Sequence, residues 1–132
     1  MSSKAKPKPK PKQGKKNKAQ VKERGIWVQL LVIFMAIHGI FAAYFYYTVR
    51  TQEPYLDRPM ILTLMVIHSL ANVAAAVGIW YWKKWALYVY AGSTILALVV
   101  GLLTVGAWSV FYFMLPLAIV GWVLRDKWSY FT

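Results

Sequence analysis

Four stretches of this chain are long and apolar enough to decide its fold class: residues 26–49, 60–80, 85–104 and 108–124. A helix needs about 20 residues to cross a hydrocarbon core about 30 Å thick, and the first three stretches meet that length. The fourth is shorter and contains Pro116, which can kink a helix. Neighbouring helices in a bundle can satisfy the carbonyl that such a proline frees. The expected fold is therefore all-α, a four-helix transmembrane up-down bundle spanning residues 26–132. With 132 residues the chain has room for one small domain. It is 59% hydrophobic, with mean hydropathy +0.44, yet its formal charge is +12. Those values conflict in a soluble protein and agree in a membrane protein with a basic tail.

That tail is residues 1–25. Lysine and proline alternate from Lys6 to Lys12, and basic residues continue through Lys15, Lys16 and Lys18. Proline opposes helix and the lysines repel one another, so the segment is expected to be an extended, disordered arm. It is read as retained, because no small-residue cleavage site follows and the next apolar run is too long for a signal peptide. Ten of the sixteen Lys and Arg residues lie before residue 26. Lys83 and Lys84 lie between the second and third runs, and Arg125 and Lys127 follow the fourth. Arg50 and Arg58 fall on the opposite side, beside Glu53 and Asp57. The positive-inside rule then places both termini in the cytoplasm, as an even number of spans also requires. Near the surface each basic residue contributes about 1 kcal/mol of attraction to anionic lipid. Lys4, Lys6, Lys8, Lys10, Lys12, Lys15, Lys16, Lys18, Lys83 and Lys84 are the expected contacts with anionic headgroups. Any contact of the arm with nucleic acid is expected to be electrostatic and without sequence specificity, and with no aromatic residue before Trp27 base stacking is not expected.

The residue inventory narrows the chemistry. There is no cysteine, which removes disulfides, thiolate metal sites and thiol nucleophiles. The only acids, Glu23, Glu53, Asp57 and Asp126, flank the apolar runs, so no paired-carboxylate site is available inside the bundle. Aromatic rings concentrate at the ends of the runs: Trp27, Trp80, Tyr81, Trp82, Trp85, Trp122 and Trp128 toward the cytoplasm, and Tyr44, Tyr46, Tyr47, Trp108 and Tyr112 toward the outside. They are expected to be interface anchors.

Small residues mark where helices approach closely in lipid. Gly39 with Ala43, Ala71 with Ala75, Ala74 with Gly78, and Ser93 with Ala97 and Gly101 recur at four-residue spacing. Asn72 shares the face of Ala71 and Ala75. The short connections near Lys83 and near Gly106 make hairpins of the second and third, and the third and fourth, helices.

The turn Gly78-Ile79-Trp80-Tyr81-Trp82-Lys83-Lys84-Trp85-Ala86 resembles the G-x-W…W-A turn of many small prokaryotic four-helix membrane proteins. Their last helix is similar to the segment from Leu115-Pro116 through Leu124-Arg125. The resemblance covers about 50 residues. It implies the same architecture and a prokaryotic plasma membrane, and carries no activity.

Polar side chains deep in a bilayer are costly and therefore informative. Gln29 and Thr63 lie near helix ends, and the Ser93 and Thr94 hydroxyls are expected to bond back to their own helix. His38, His68, Ser69 and Asn72 remain. His68 and Asn72, four residues apart, share a helix face. His38 lies 13 residues after Gly25, about 20 Å, and His68 lies 12 before Trp80, about 18 Å. In antiparallel neighbours both imidazoles sit at one depth. One reading is packing, with each histidine hydrogen-bonded across the bundle to the other, to Asn72 or to Ser69. Another is a haem b with His38 and His68 as axial ligands, with small neighbours making room for the ring. No Arg or Lys lies at that depth to meet the propionates, and a proton relay would lack a buried acid.

The function expected is that of a non-enzymatic small integral membrane protein, an accessory or scaffolding subunit that packs on a membrane protein partner or on itself. The alternative is a haem b-binding electron-transfer anchor. A small transporter comes third, because no broken helix pair or buried charge marks a substrate path.

Overall fold

The computed structural model describes residues 23–52 and 58–132. The eight arm lysines from Lys4 to Lys18, and the expected disorder of the arm, lie outside the described residues. Four helices follow one another: α1 Gly25–Val49, α2 Pro59–Trp80, α3 Lys84–Thr104 and α4 Trp108–Leu124. A 3₁₀ segment, Arg125–Tyr130, continues from α4. No strand occurs among the described residues. All four helices are long and apolar enough to cross a membrane, the fourth by running on to Tyr130. Pro59 opens α2, where a proline loses nothing because its missing N–H would have had no helical acceptor. Pro116 sits inside α4 without ending it.

Each helix packs against the next in an antiparallel up-down bundle, whereas α1 and α4 meet only briefly. The seams are as close as the small residues allow. A Cβ on Gly39 would lie 2.7 Å from Val73 Cγ2 and 2.8 Å from the Ser69 carbonyl oxygen. On Gly78 it would lie 2.5 Å from the Ala86 Cβ, and on Gly101, 2.7 Å from the Ser109 Cβ. Ala43, Ala75 and Ala97 are buried, and Ala71 and Ser93 half-buried. Ala74 faces outward, so of its pair only Gly78 serves a seam.

The turn between α2 and α3 closes one end of the bundle. Lys83 N donates to Gly78 O (2.8 Å) and Trp82 N to Ile79 O (3.0 Å), the paired bonds of a Schellman cap. Its left-handed position is usually glycine; here it is Trp82, at φ 57°. Trp82 is 4% exposed, so the expectation of an interface anchor is corrected: this ring is core. The reason is the chain after α4, which folds back over it. Tyr130 and Phe131 meet the indole edge-on, each at 5.2 Å between centroids. Thr132 N donates to Trp82 O (2.8 Å), and Lys84 N donates to Thr132 O (3.1 Å). Arg24 binds the same end, its Nε donating to Trp80 O (3.2 Å) and its guanidinium 4.2 Å over the Trp80 ring. Trp27, Tyr81, Trp85, Trp122 and Trp128 remain exposed, as anchors would be, and so do Lys83 and Lys84.

Candidate functional site

Because α1 and α4 barely touch, a cavity of about 380 Å³ opens between them, backed by α2 and α3. His38 from α1 and His68 from α2 both line it, with Asn72, Tyr90 and Thr94. The Gly39 seam explains the meeting: contact with Ser69 and Val73 puts the turn bearing His38 level with the turn bearing His68.

The two histidines are held differently. His38 stacks on Phe34, one turn earlier, at 5.8 Å and 18° between planes. His68 meets Phe113 of α4 edge-on at 5.7 Å, and its Nε2 lies 3.3 Å from Asn72 Nδ2. With the amide N–H donating, Nε2 is the acceptor and the neutral ring carries its proton on Nδ1. Asn72 is thus the partner of His68, as one form of the packing reading has it, but the bond runs along one helix and not across the bundle. Ser69 does not cross either, since its Oγ donates to Met65 O at 2.8 Å.

Three buried polar atoms are left without a hydrogen bond: His68 Nδ1, Asn72 Oδ1 and Thr94 Oγ1. The Ser93 backbone acts on the His68 ring and Tyr90 lies beside Thr94, but neither closes a bond of ordinary geometry. Ser93 bonds back to its helix as expected (Oγ to Tyr90 O, 3.1 Å), whereas Thr94 does not. Tyr112 and Pro116 of α4 line the opposite side of the cavity. In hydrocarbon each unsatisfied group costs several kcal/mol. The orphaned atoms share one wall of one cavity, and together they offer donors and acceptors.

A second, larger groove of about 760 Å³ lies toward the other end of the bundle, with Tyr46, Arg58, Thr104, Trp108 and Ser109 in its walls. Its Thr104 and Ser109 hydroxyls donate to backbone carbonyls, Val100 O at 2.8 Å and Gly106 O at 2.6 Å. It therefore lacks the polar demand of the histidine cavity.

Sequence reasoning reached His38, His68 and Asn72. It did not reach Tyr90 or Phe113, which hydropathy alone cannot assign to an inward face, and it gave Thr94 a partner that the fold withholds. Among the described residues no three His, Asp or Glu side chains gather to hold a metal ion. The chain matches no family model, no curated protein and no solved structure.

Proposed function

We propose that this protein is a non-enzymatic accessory subunit of a prokaryotic plasma membrane, one that holds a lipophilic ligand in the cavity between α1 and α4. Its termini are cytoplasmic in this reading, and the arm and Lys83 and Lys84 rest on anionic headgroups. One observation supports it above the rest: orphaned polar atoms on α2 and α3 meet in a cavity bordered by the exposed apolar side chains Phe34, Phe111 and Leu115. A pure packing bundle gains nothing from leaving those atoms unsatisfied. The exposed apolar surfaces of α1 and α4 leave room for a partner subunit or a second copy beside that cavity.

The test is extraction of the protein from its native membrane in mild detergent, followed by native electrophoresis and mass spectrometry of the bound lipophiles. The expected result is a species larger than the monomer with one lipophile retained in stoichiometric amount. A bare monomer that carries only bulk lipid would refute the reading. Orientation is tested separately with single cysteines, since the chain has none of its own. Lys83→Cys should react with an impermeant thiol reagent only from the cytoplasmic side.

The haem b alternative draws support from one fact, that His38 and His68 line the same cavity. The seam at Gly39 opposes it, because a ring ligated from both faces needs its two helices well apart at that level. Purified protein with a Soret band, lost in both His38→Ala and His68→Ala, would establish haem. A colourless preparation would remove it.

A further inference from the structure

The cavity is specific enough to name the chemistry of its occupant, an assignment that rests on reading it as a ligand site. We infer that it takes the headgroup of an uncharged, planar lipophile bearing ring oxygens, of the isoprenoid quinone or quinol class.

Charge is the first selector. No Lys, Arg, Asp or Glu lines the cavity, so a phosphate, carboxylate or ammonium headgroup would be buried without a counter-ion. That excludes ordinary phospholipids and fatty acids from placing their polar ends there. Hydrogen bonding is the second. His68 Nδ1–H and the Thr94 hydroxyl suit a carbonyl oxygen, while Asn72 Oδ1 suits a hydroxyl. An acyl chain offers none of the three a hydrogen bond. A single trapped water would serve some of them, but a ring oxygen does the same and brings buried apolar area with it.

Shape and access agree. Phe34, His38, His68 and Phe113 give the cavity aromatic walls, against which another ring packs well. The volume lies near the lower end of the range of about 300–1,000 Å³ typical of ligand sites, which suits one ring with its tail left outside. Phe34, Phe111 and Leu115, at the mouth, are all more than 60% exposed, so the entrance opens sideways on lipid and not on water. A membrane-dissolved ligand reaches it by lateral diffusion.

The full chain, reconstituted in phosphatidylcholine nanodiscs, would be titrated with decylubiquinone, and bound quinone measured by absorbance after separation and extraction. The expected result is saturation at one quinone per chain, above the linear partitioning of protein-free discs. Asn72→Leu and the isosteric Thr94→Val should each weaken binding at least tenfold, while Phe41→Leu, on lipid-facing α1 surface away from the cavity, should not. Circular dichroism and gel filtration establish that each variant is folded, and Thr94→Val serves where Asn72→Leu fails. Oleyl alcohol, neutral but without a ring, runs in parallel. If it binds equally well with the same dependence on Asn72, the quinone assignment falls and the cavity remains a ligand site. If neither compound saturates, both readings fall.

Discussion

The closed end of the bundle and its open flank are built from the same four helices and treat polar groups in opposite ways. At the closed end, the backbone N–H groups of Trp82, Lys83, Lys84 and Thr132 all find carbonyls, and Arg24 reaches across to Trp80. Its apolar core is sealed, with Trp82 and Phe131 buried and Ile79 and Leu124 completely so. At the flank, α1 and α4 part, and buried polar atoms of His68, Asn72 and Thr94 are left without a hydrogen bond of ordinary geometry. Satisfying buried polar groups makes one end rigid; leaving them unsatisfied in lipid creates demand for something the chain does not supply. The contrast is the main argument that the flank is a site and not imperfect packing.

The comparison breaks most easily at Trp82. Truncating a fully buried tryptophan typically costs about 3–5 kcal/mol, so Trp82→Ala should show the largest loss, seen as unfolding at lower denaturant in mixed micelles. Trp82→Gly should be about 1 kcal/mol more stable than Trp82→Ala, because glycine adopts the left-handed backbone at φ 57° without penalty. Equal stability of alanine and wild type would mean that the backbone of the returning segment, not the indole, holds this end. Next is the seam beneath the histidines. Gly39→Val should cost about 1–3 kcal/mol, since its Cβ meets the Ser69 backbone oxygen, which cannot step aside as a side chain would. Gly92→Ala and Gly121→Ala, where an added Cβ meets nothing within 4 Å, should be neutral or slightly stabilising in the same assay.

These two regions also divide what the sequence could disclose. Hydropathy and length mark four helices, because a bilayer demands about 20 apolar residues whatever the tertiary contacts. Counting from the ends put His38 and His68 at one level, since helical rise is constant. Rotation about the helix axis is another matter. In lipid both faces are apolar, so the pattern does not say that Tyr90 and Phe113 turn inward or that Ala74 turns out. The burial of Trp82 depends on Phe131, some fifty positions later, and no local rule puts a tryptophan where glycine is preferred. Thr94 was misjudged for the same reason: back-bonding of a helical hydroxyl is a local habit, and this side chain departs from it at the cavity.

Asn72 allows the flank to be tested without any ligand. If its Oδ1 is a buried acceptor without a donor, exchanging the amide for a hydrocarbon of similar size removes a standing penalty. The change also strips His68 Nε2 of its donor, so it is made on a His68→Phe background, where Asn72→Leu should stabilise the ligand-free protein by about 1 kcal/mol. Destabilisation by the same amount would show that the amide is satisfied and would weaken the case for an occupant.

The smallest effect is expected at Ser69, and its smallness matters. Ser69 is 1% exposed, in the same helix as Asn72 and three residues before it. By burial alone the two look alike. Its hydroxyl, however, donates at 2.8 Å to Met65 O, which the helix already supplies with the Ser69 N–H. Ser69→Ala thus removes a redundant donor and leaves no acceptor unpaired, and polar contacts of this kind in membranes average about 0.6 kcal/mol. The Ser69 carbonyl that meets Gly39 is untouched by the change. The variant should unfold within about 0.6 kcal/mol of wild type, on the destabilised side. Were Ser69→Ala to stabilise the protein as much as Asn72→Leu, removing any buried polar group from α2 would be favourable, and the orphaned atoms at the flank would lose their special meaning.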